Sequence, residues 1–297
     1  MNNYKQEHGG GNAVKTIHYD GLYIYTGGAD GLLNVRNPKD LFIEISLAAG
    51  ATPPARSDEL RRYYTFGSIA KSSNYLFAGT DRGRIYVWNK SDFSPRPHLA
   101  IAGWDYVVEI GANDNVIVGV GYYGNIGIWD LESLVLLKTI PCKLPSCDRV
   151  MLSDQFLFLG HHKDGKAEVD VYSLKNLTKF ATLKQDSKGW IQDVCPTANY
   201  LIVNAGNYSD SETTFFSEIS FLTRLSFKKV RRFASPKGWE ATGALCANDQ
   251  FFCTFQKNWN YNVPQNSDKK RRCSKVHHLV CVNNTPRLSK PSSFVRC

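Results

Sequence analysis

The sequence contains no run of about 20 consecutive apolar residues, the length a helix needs to cross a bilayer. Its opening residues, MNNYKQEHGGG, have no apolar core of the kind that directs secretion. A Walker-type Gly-x4-Gly-Lys-Ser/Thr loop is missing, and the GGG at 9–11 is not set between a strand and a helix, so nucleotide binding has no carrier. The eight cysteines are scattered instead of forming a compact frame. Cys253 in QFFCTF and Cys281 in HLVCV alternate with apolar neighbours, as small core residues do. Together these absences predict a soluble protein of the cytoplasm, the nucleus or both, with reduced thiols, no membrane partner and no cofactor.

Catalysis needs a nucleophile, a base or a metal set within mutual reach, and no such set is written in the chain. His161-His162, beside Asp164, read as exposed residues of a hairpin turn. Cys273, His277, His278 and Cys281 would split their ligands between the two faces of a strand, because successive side chains point opposite ways. Cys142 and Cys147 in CKLPSC have no second pair nearby. The expectation is therefore no enzyme, no catalytic residue and no metal.

What the chain does contain is a repeat. A polar turn residue followed by a run of β-branched or aromatic residues occurs as DGLYIYTGG at 20–28, NYLFAGT at 74–80, DNVIVGV at 114–120, DQFLFLG at 154–160, NYLIVNAG at 199–206 and DQFFCTF at 249–255. The starts are spaced by 54, 40, 40, 45 and 50 residues, close to the roughly 40–45 of a four-stranded propeller blade. A tight turn and a further strand follow in TGGADGLLNVRN at 26–37, AGTDRGRIYVWN at 78–89 and VGVGYYGNIGIWD at 118–130. Gly31, Gly83 and Gly124 are expected at two-residue turns that need positive φ. Outer strands are expected near 41–47, 97–101, 134–140, 177–183, 225–230 and, weakly, 292–296.

These segments resemble the WD-repeat family, with Trp88-Asn89 and Trp129-Asp130 in the Trp-Asp position, Arg36-Asn37 degenerate and Val171-Tyr172-Ser173 looser. The resemblance implies an all-β protein, a single β-propeller of six four-stranded blades, with seven as the alternative. Residues 1–12 are expected to be a flexible N-terminal segment and 13–297 the propeller, with a long basic loop at 257–275.

In a meander the second-to-third and outer-to-next-inner connections share one rim. On that rim Tyr64, Trp104, Trp190 and Trp239 recur 10, 10, 9 and 10 residues before the polar turn. Gly-Trp stands there where the family has Gly-His. Two roles are open for these rings: wedges between blades that exclude water, or a partial ring of aromatics around the channel mouth. Basic residues are expected on the same rim: Arg61-Arg62, then Lys228-Lys229 with Arg231-Arg232, then Lys269, Lys270, Arg271 and Arg272 in the long loop, which also carries Trp259 and Tyr261. With 36 Lys+Arg against 27 Asp+Glu, a net charge of +9 favours an acidic partner. The reading is a scaffold or adaptor that binds other proteins through this rim. Nucleic-acid binding by the same basic, aromatic rim is the alternative, and a substrate-receptor role in a modification complex is less favoured.

Overall fold

The computed structural model describes residues 14–48, 65–104, 106–122, 125–141, 147–207, 216–234, 239–247, 251–258, 276–283 and 294–296. Side chains are described only as far as residue 232, and those of 148, 186–188, 207, 216 and 217 are not. The segment 1–12 lies outside the described residues.

Among the described residues twenty-four strands form six sheets, each a meander of four consecutive strands. The first sheet is β1 (Val14–Tyr19), β2 (Ile24–Gly28), β3 (Leu32–Arg36) and β4 (Ile43–Ala48). The second is β5 (Phe66–Lys71), β6 (Tyr75–Thr80), β7 (Arg84–Asn89) and β8 (Pro95–Ala100), and the third β9 (Val107–Ala112), β10 (Val116–Gly121), β11 (Ile126–Asp130) and β12 (Leu136–Ile140). The fourth is β13 (Cys147–Leu152), β14 (Phe156–Lys163), β15 (Lys166–Ser173) and β16 (Thr178–Lys188). The fifth is β17 (Trp190–Pro196), β18 (Tyr200–Asn207), β19 (Phe216–Thr223) and β20 (Lys229–Ala234), and the sixth β21 (Trp239–Ala247), β22 (Phe251–Asn258), β23 (Val276–Asn283) and β24 (Phe294–Arg296). Six blades are present, as the repeat predicts. The chain divides into two compact units, Met1–Gln155 and Phe156–Cys297.

Within unit 1 the first strands lie side by side, β1 against β5, β5 against β9 and β9 against β13. The core therefore sits between the faces of adjacent blades. Tyr25, Leu33 and Val35 of blade one cluster with Phe66, Leu76, Tyr86 and Trp88 of blade two. Phe77, Ile85 and Val87 of blade two cluster with Val107, Ile110, Ile117 and Trp129 of blade three. Continuous burial along β10 follows from this, since both of its faces are covered. In unit 2, β14 packs beside β17 and β17 beside β21 in the same way.

The turns depart from the sequence reading in one respect. Gly31 and Gly83 do have positive φ, 75° and 68°, but the residues before them do not. These are turns closed by a left-handed glycine, not two-residue turns in which both positions need positive φ. The two-residue type occurs in blade four, where Asp164 (φ 51°) and Gly165 (φ 74°) join the paired Lys163 and Lys166. Gly124 lies outside the described residues.

The most regular feature is a turn that the repeat search passed over. Between the third and fourth strands, Leu41, Phe93, Leu134, Leu177 and Phe227 all adopt φ between 52° and 62°. Four of them donate their backbone N–H to the carbonyl four residues back, at Asn37, Asn89, Asp130 and Thr223. Holding a bulky residue in the left-handed region costs about 1–2 kcal/mol. Burial offsets it where the side chain turns inward: Phe227 packs its ring against Phe156, Phe158 and Phe180 at 5.4–6.1 Å. The later start of β20 at Lys229, against the expected 225, follows from this turn.

Candidate functional site

Hydrogen bonds between connections sort them onto two rims within each unit. On one rim, Asp81 in the β6–β7 turn and Thr65 just before β5 exchange bonds of 2.9 and 3.2 Å, and Tyr122 N donates to Tyr106 O at 2.9 Å. Gly189 N donates to Gly165 O at 2.9 Å. On the other rim, Lys90 pairs with Asp20 at 2.8 Å, Ser73 donates to Asp114, and Asn113 Nδ2 donates to Ser153 O. Second-to-third turns thus meet fourth-to-first links, as a meander requires. Burial alone would raise the Asp20 carboxyl. The Lys90 ammonium, the N–H groups of Tyr23 and Leu22 and the Tyr25 hydroxyl outweigh it and hold the carboxyl well below the usual range.

The tryptophans of the first rim do not share one environment. Trp104 is 8% exposed and belongs to the core, which corrects its assignment as a ring offered to a partner. It follows Gly103, whose φ of 85° turns the chain inward. A Cβ on Gly83 would stand 2.0 Å from the Trp104 carbonyl oxygen, and Cβ atoms on Gly119 and Gly121 would stand 2.9 and 2.5 Å from its ring. The indole therefore lies in a slot that glycines open, edge-on to Trp129 at 5.7 Å. Its Nε1 finds no hydrogen-bond partner among the described residues. This is the wedge role.

Trp190 is the opposite case. It opens β17 immediately after Gly189 (φ 119°) and is 41% exposed, with His162 packed edge-on at 6.1 Å. Trp239 opens β21 and pairs in register with Asn258, the residue from which the long loop departs. That register puts both at one end of blade six.

Tyr64, Arg61, Arg62, Trp259, Tyr261, Lys269, Lys270, Arg271 and Arg272 lie outside the described residues. Of the remaining basic cluster, Lys228 ends the turn of the opposite rim, and Lys229, Arg231 and Arg232 lie on β20. Lys229 and Arg232 reach Glu218, which is 2% exposed, at 3.4 and 3.1 Å. The outer strand expected at 225–230 runs later, through that basic run, and a buried carboxylate takes two of its charges.

Two further corrections concern blade four. His161 and His162 are in β14, not in the turn, because the two-residue turn at Asp164-Gly165 lets the hairpin run longer. His161 is 3% exposed with Nε2 3.4 Å from Asp170 Oδ2. Burial would raise the Asp170 carboxyl, but His161, Lys179 at 2.7 Å and Thr182 at 2.7 Å bring it down to about 2. Among the described residues no group of His, Cys, Asp and Glu could hold a metal ion. Cys273 is outside those residues, and the side chains of His277, His278 and Cys281 are not described.

Sequence reasoning missed two surfaces. Tyr122, 61% exposed, stands edge-on to Tyr106 at 6.4 Å on the first rim of unit 1, beside the turn that carries the exposed Arg82. Burial, then the negative charges of Asp81 and Glu109, raise the Tyr106 phenol. On the other rim, Leu22 and Phe42 of blade one are 64% and 68% exposed, and Leu41 is exposed with them. The GYYG run was the available signal for the first. For the second there was none beyond apolar residues in turns.

No protein-family model matches the chain, and no curated protein matches it. Among solved structures, that of U3-55K matches with a TM-score of 0.63 at 11% identity, covering 84% of this chain and 78% of its own. The β-propeller domain of Cps50 (Swd1) from Myceliophteria thermophila matches with a TM-score of 0.63 at 11% identity, covering 95% of this chain and 85% of its own. Both are WD40 β-propeller domains. At that identity the likeness shows the fold, which is a β-propeller.

Proposed function

From the β-propeller fold as premise, we propose that the protein is a non-catalytic docking platform that holds other proteins on its first rim. One observation carries this: each unit offers an exposed aromatic ring there, Tyr122 after β10 in unit 1 and Trp190 at the start of β17 in unit 2. Aromatic anchors on a stiff frame lose little conformational freedom on binding, which is why they dominate interface energies. The partners are proteins with acidic surfaces, in keeping with the net charge of +9. The working place is the cytoplasm, the nucleus or both, away from membranes.

Cross-linking mass spectrometry in native extract tests this. Tyr122→Ala combined with Trp190→Ala, still folded, is expected to lose partners that the unaltered chain captures. An unchanged partner set removes the rim from function. A second reading is favoured by exposed Leu22, Leu41 and Phe42: docking on the opposite rim of unit 1. Leu22→Ser with Phe42→Ser would then lose the partners instead. Nucleic-acid binding predicts a further signature, a steep fall in affinity with salt.

A further inference from the structure

Each blade ends in an edge strand, and the unpaired N–H and C=O groups along such an edge invite a further strand. Four outer strands carry devices against this. On β8, Pro95 and Pro97 remove two N–H donors. Glu44 interrupts the apolar residues of β4, Lys179 and Lys184 those of β16, and Lys229, Arg231 and Arg232 those of β20. Blade three is different. Val135, which leads into β12, and Leu136 and Leu137 within it follow one another and are 43–59% exposed. Three exposed apolar residues in a row on an edge strand are a liability to a chain that is not meant to pair there. Among the described residues β12 stands at the end of its sheet, paired with β11 alone. The edge is also held still. Asp130 N donates to Val135 O at 2.9 Å, Leu134 N donates to Asp130 O at 3.0 Å, and Asp130 Oδ1 accepts from the N–H and the hydroxyl of Ser133. Trp129, paired with Leu136, is buried.

We propose that the outer edge of blade three is a docking site for an extended, uncharged apolar segment of a partner protein, which adds beside β12 as a fifth strand. Main-chain hydrogen bonds hold the segment, and the uncharged run Val135, Leu136 and Leu137 selects apolar side chains. A helix cannot serve, because its N–H and C=O groups are already paired within it. A second copy of this chain is disfavoured by charge. Two β12 strands paired antiparallel over their full length, Leu136–Ile140, centre on Lys138 and set the two ammonium groups opposite each other. The five residues of β12 span about 17 Å, so a segment of ordinary strand length covers the edge. The site is the flank of a blade and not a rim, so it stands whether or not the rim reading does.

The test uses the full chain, fluorescence anisotropy with a labelled hexapeptide of alternating Thr and Val, and a copy of that peptide with alternate backbone nitrogens methylated. Expected is binding that does not weaken with salt and that the methylated copy loses. Leu137→Lys should weaken it about tenfold, since a lysine blunts an edge. Leu225→Lys, which alters another exposed leucine in the β19–β20 turn, leaves it unchanged. Bound peptide should also slow amide hydrogen exchange in residues 134–140 of the unaltered chain. That measurement needs no variant, so it decides the matter independently of how a lysine affects the strand. No binding, equal binding of the methylated copy, slowed exchange confined to other strands, or undiminished binding by Leu137→Lys each overturns the site. A dimer seen by light scattering and abolished by Leu137→Lys overturns it too, by putting a second copy on the edge. Tyr122→Ala with Trp190→Ala removes the rim anchors and leaves the peptide bound, so this proposal and the rim reading fail separately.

Discussion

Trp104 and Trp190 each follow a glycine of positive φ in corresponding links, yet one ring is buried and the other is 41% exposed. The difference lies in the floor beneath them. Counted along the paired strands, Gly119 follows Val116, which pairs with Asp130, by 119−116=3 residues, and its counterpart after Tyr200, which pairs with Thr223, is Val203, 203−200=3. Gly119 leaves a slot that the Trp104 ring fills. Val203 occupies the matching place with a fully buried side chain, so no slot opens there. The same dipeptide thus becomes a structural wedge in unit 1 and a surface anchor in unit 2, according to one residue in a neighbouring strand.

The sharpest way to break this comparison is truncation. Trp104→Ala should cost about 3–5 kcal/mol through the cavity left behind, while Trp190→Ala, mostly a surface change, should cost about 1 kcal/mol or less. Urea unfolding of the two variants checks it, and equal losses would remove the distinction. The glycines under the two links offer a second contrast. Gly83→Ala forces a Cβ to within 2.0 Å of the Trp104 carbonyl, whereas a Cβ on Gly165 meets nothing within 4 Å. The first should cost about 3 kcal/mol or more, adding overpacking to left-handed strain, and the second only the strain, about 1–2 kcal/mol. Thermal melts separate them.

A smaller effect sharpens the electrostatic side, since blade four buries a charge close to its anchor. Asp170 titrates at about 2 in the folded protein, against about 3.9 in an unfolded chain. A depressed carboxyl stabilises the fold fully above the unfolded value and loses that contribution as pH falls through the folded one. Asp170→Asn should therefore flatten the acid limb between about pH 4 and 2, by an amount on the order of 2 kcal/mol. An acid limb identical to that of the unaltered chain would show that Lys179 and His161 do not hold the charge in solution.

The strands were legible because each blade repeats a local pattern: an Asx-type turn, a β-branched run, a glycine, then a strand ending near Trp-Asn or Trp-Asp. The Oδ1 of Asn113, for instance, accepts from the N–H groups of Asn115 and Val116 whatever lies around it. The left-handed Leu41, Phe93 and Leu134 were less legible, since nothing about leucine or phenylalanine announces positive φ. Their spacing, four residues after Asn37, Asn89 and Asp130, was the overlooked signal. Tyr122 escaped for another reason. Its place depends on which link stands beside the turn, here the one that carries the Tyr106 ring.

From the chain alone came the all-β class, six blades and the strand order, because turns and alternation are decided by neighbours in sequence. Tertiary structure decided which ring is wedge and which is anchor, and which histidine is buried. Burial and charge pairing are settled by residues far along the chain, and no local pattern carries that information.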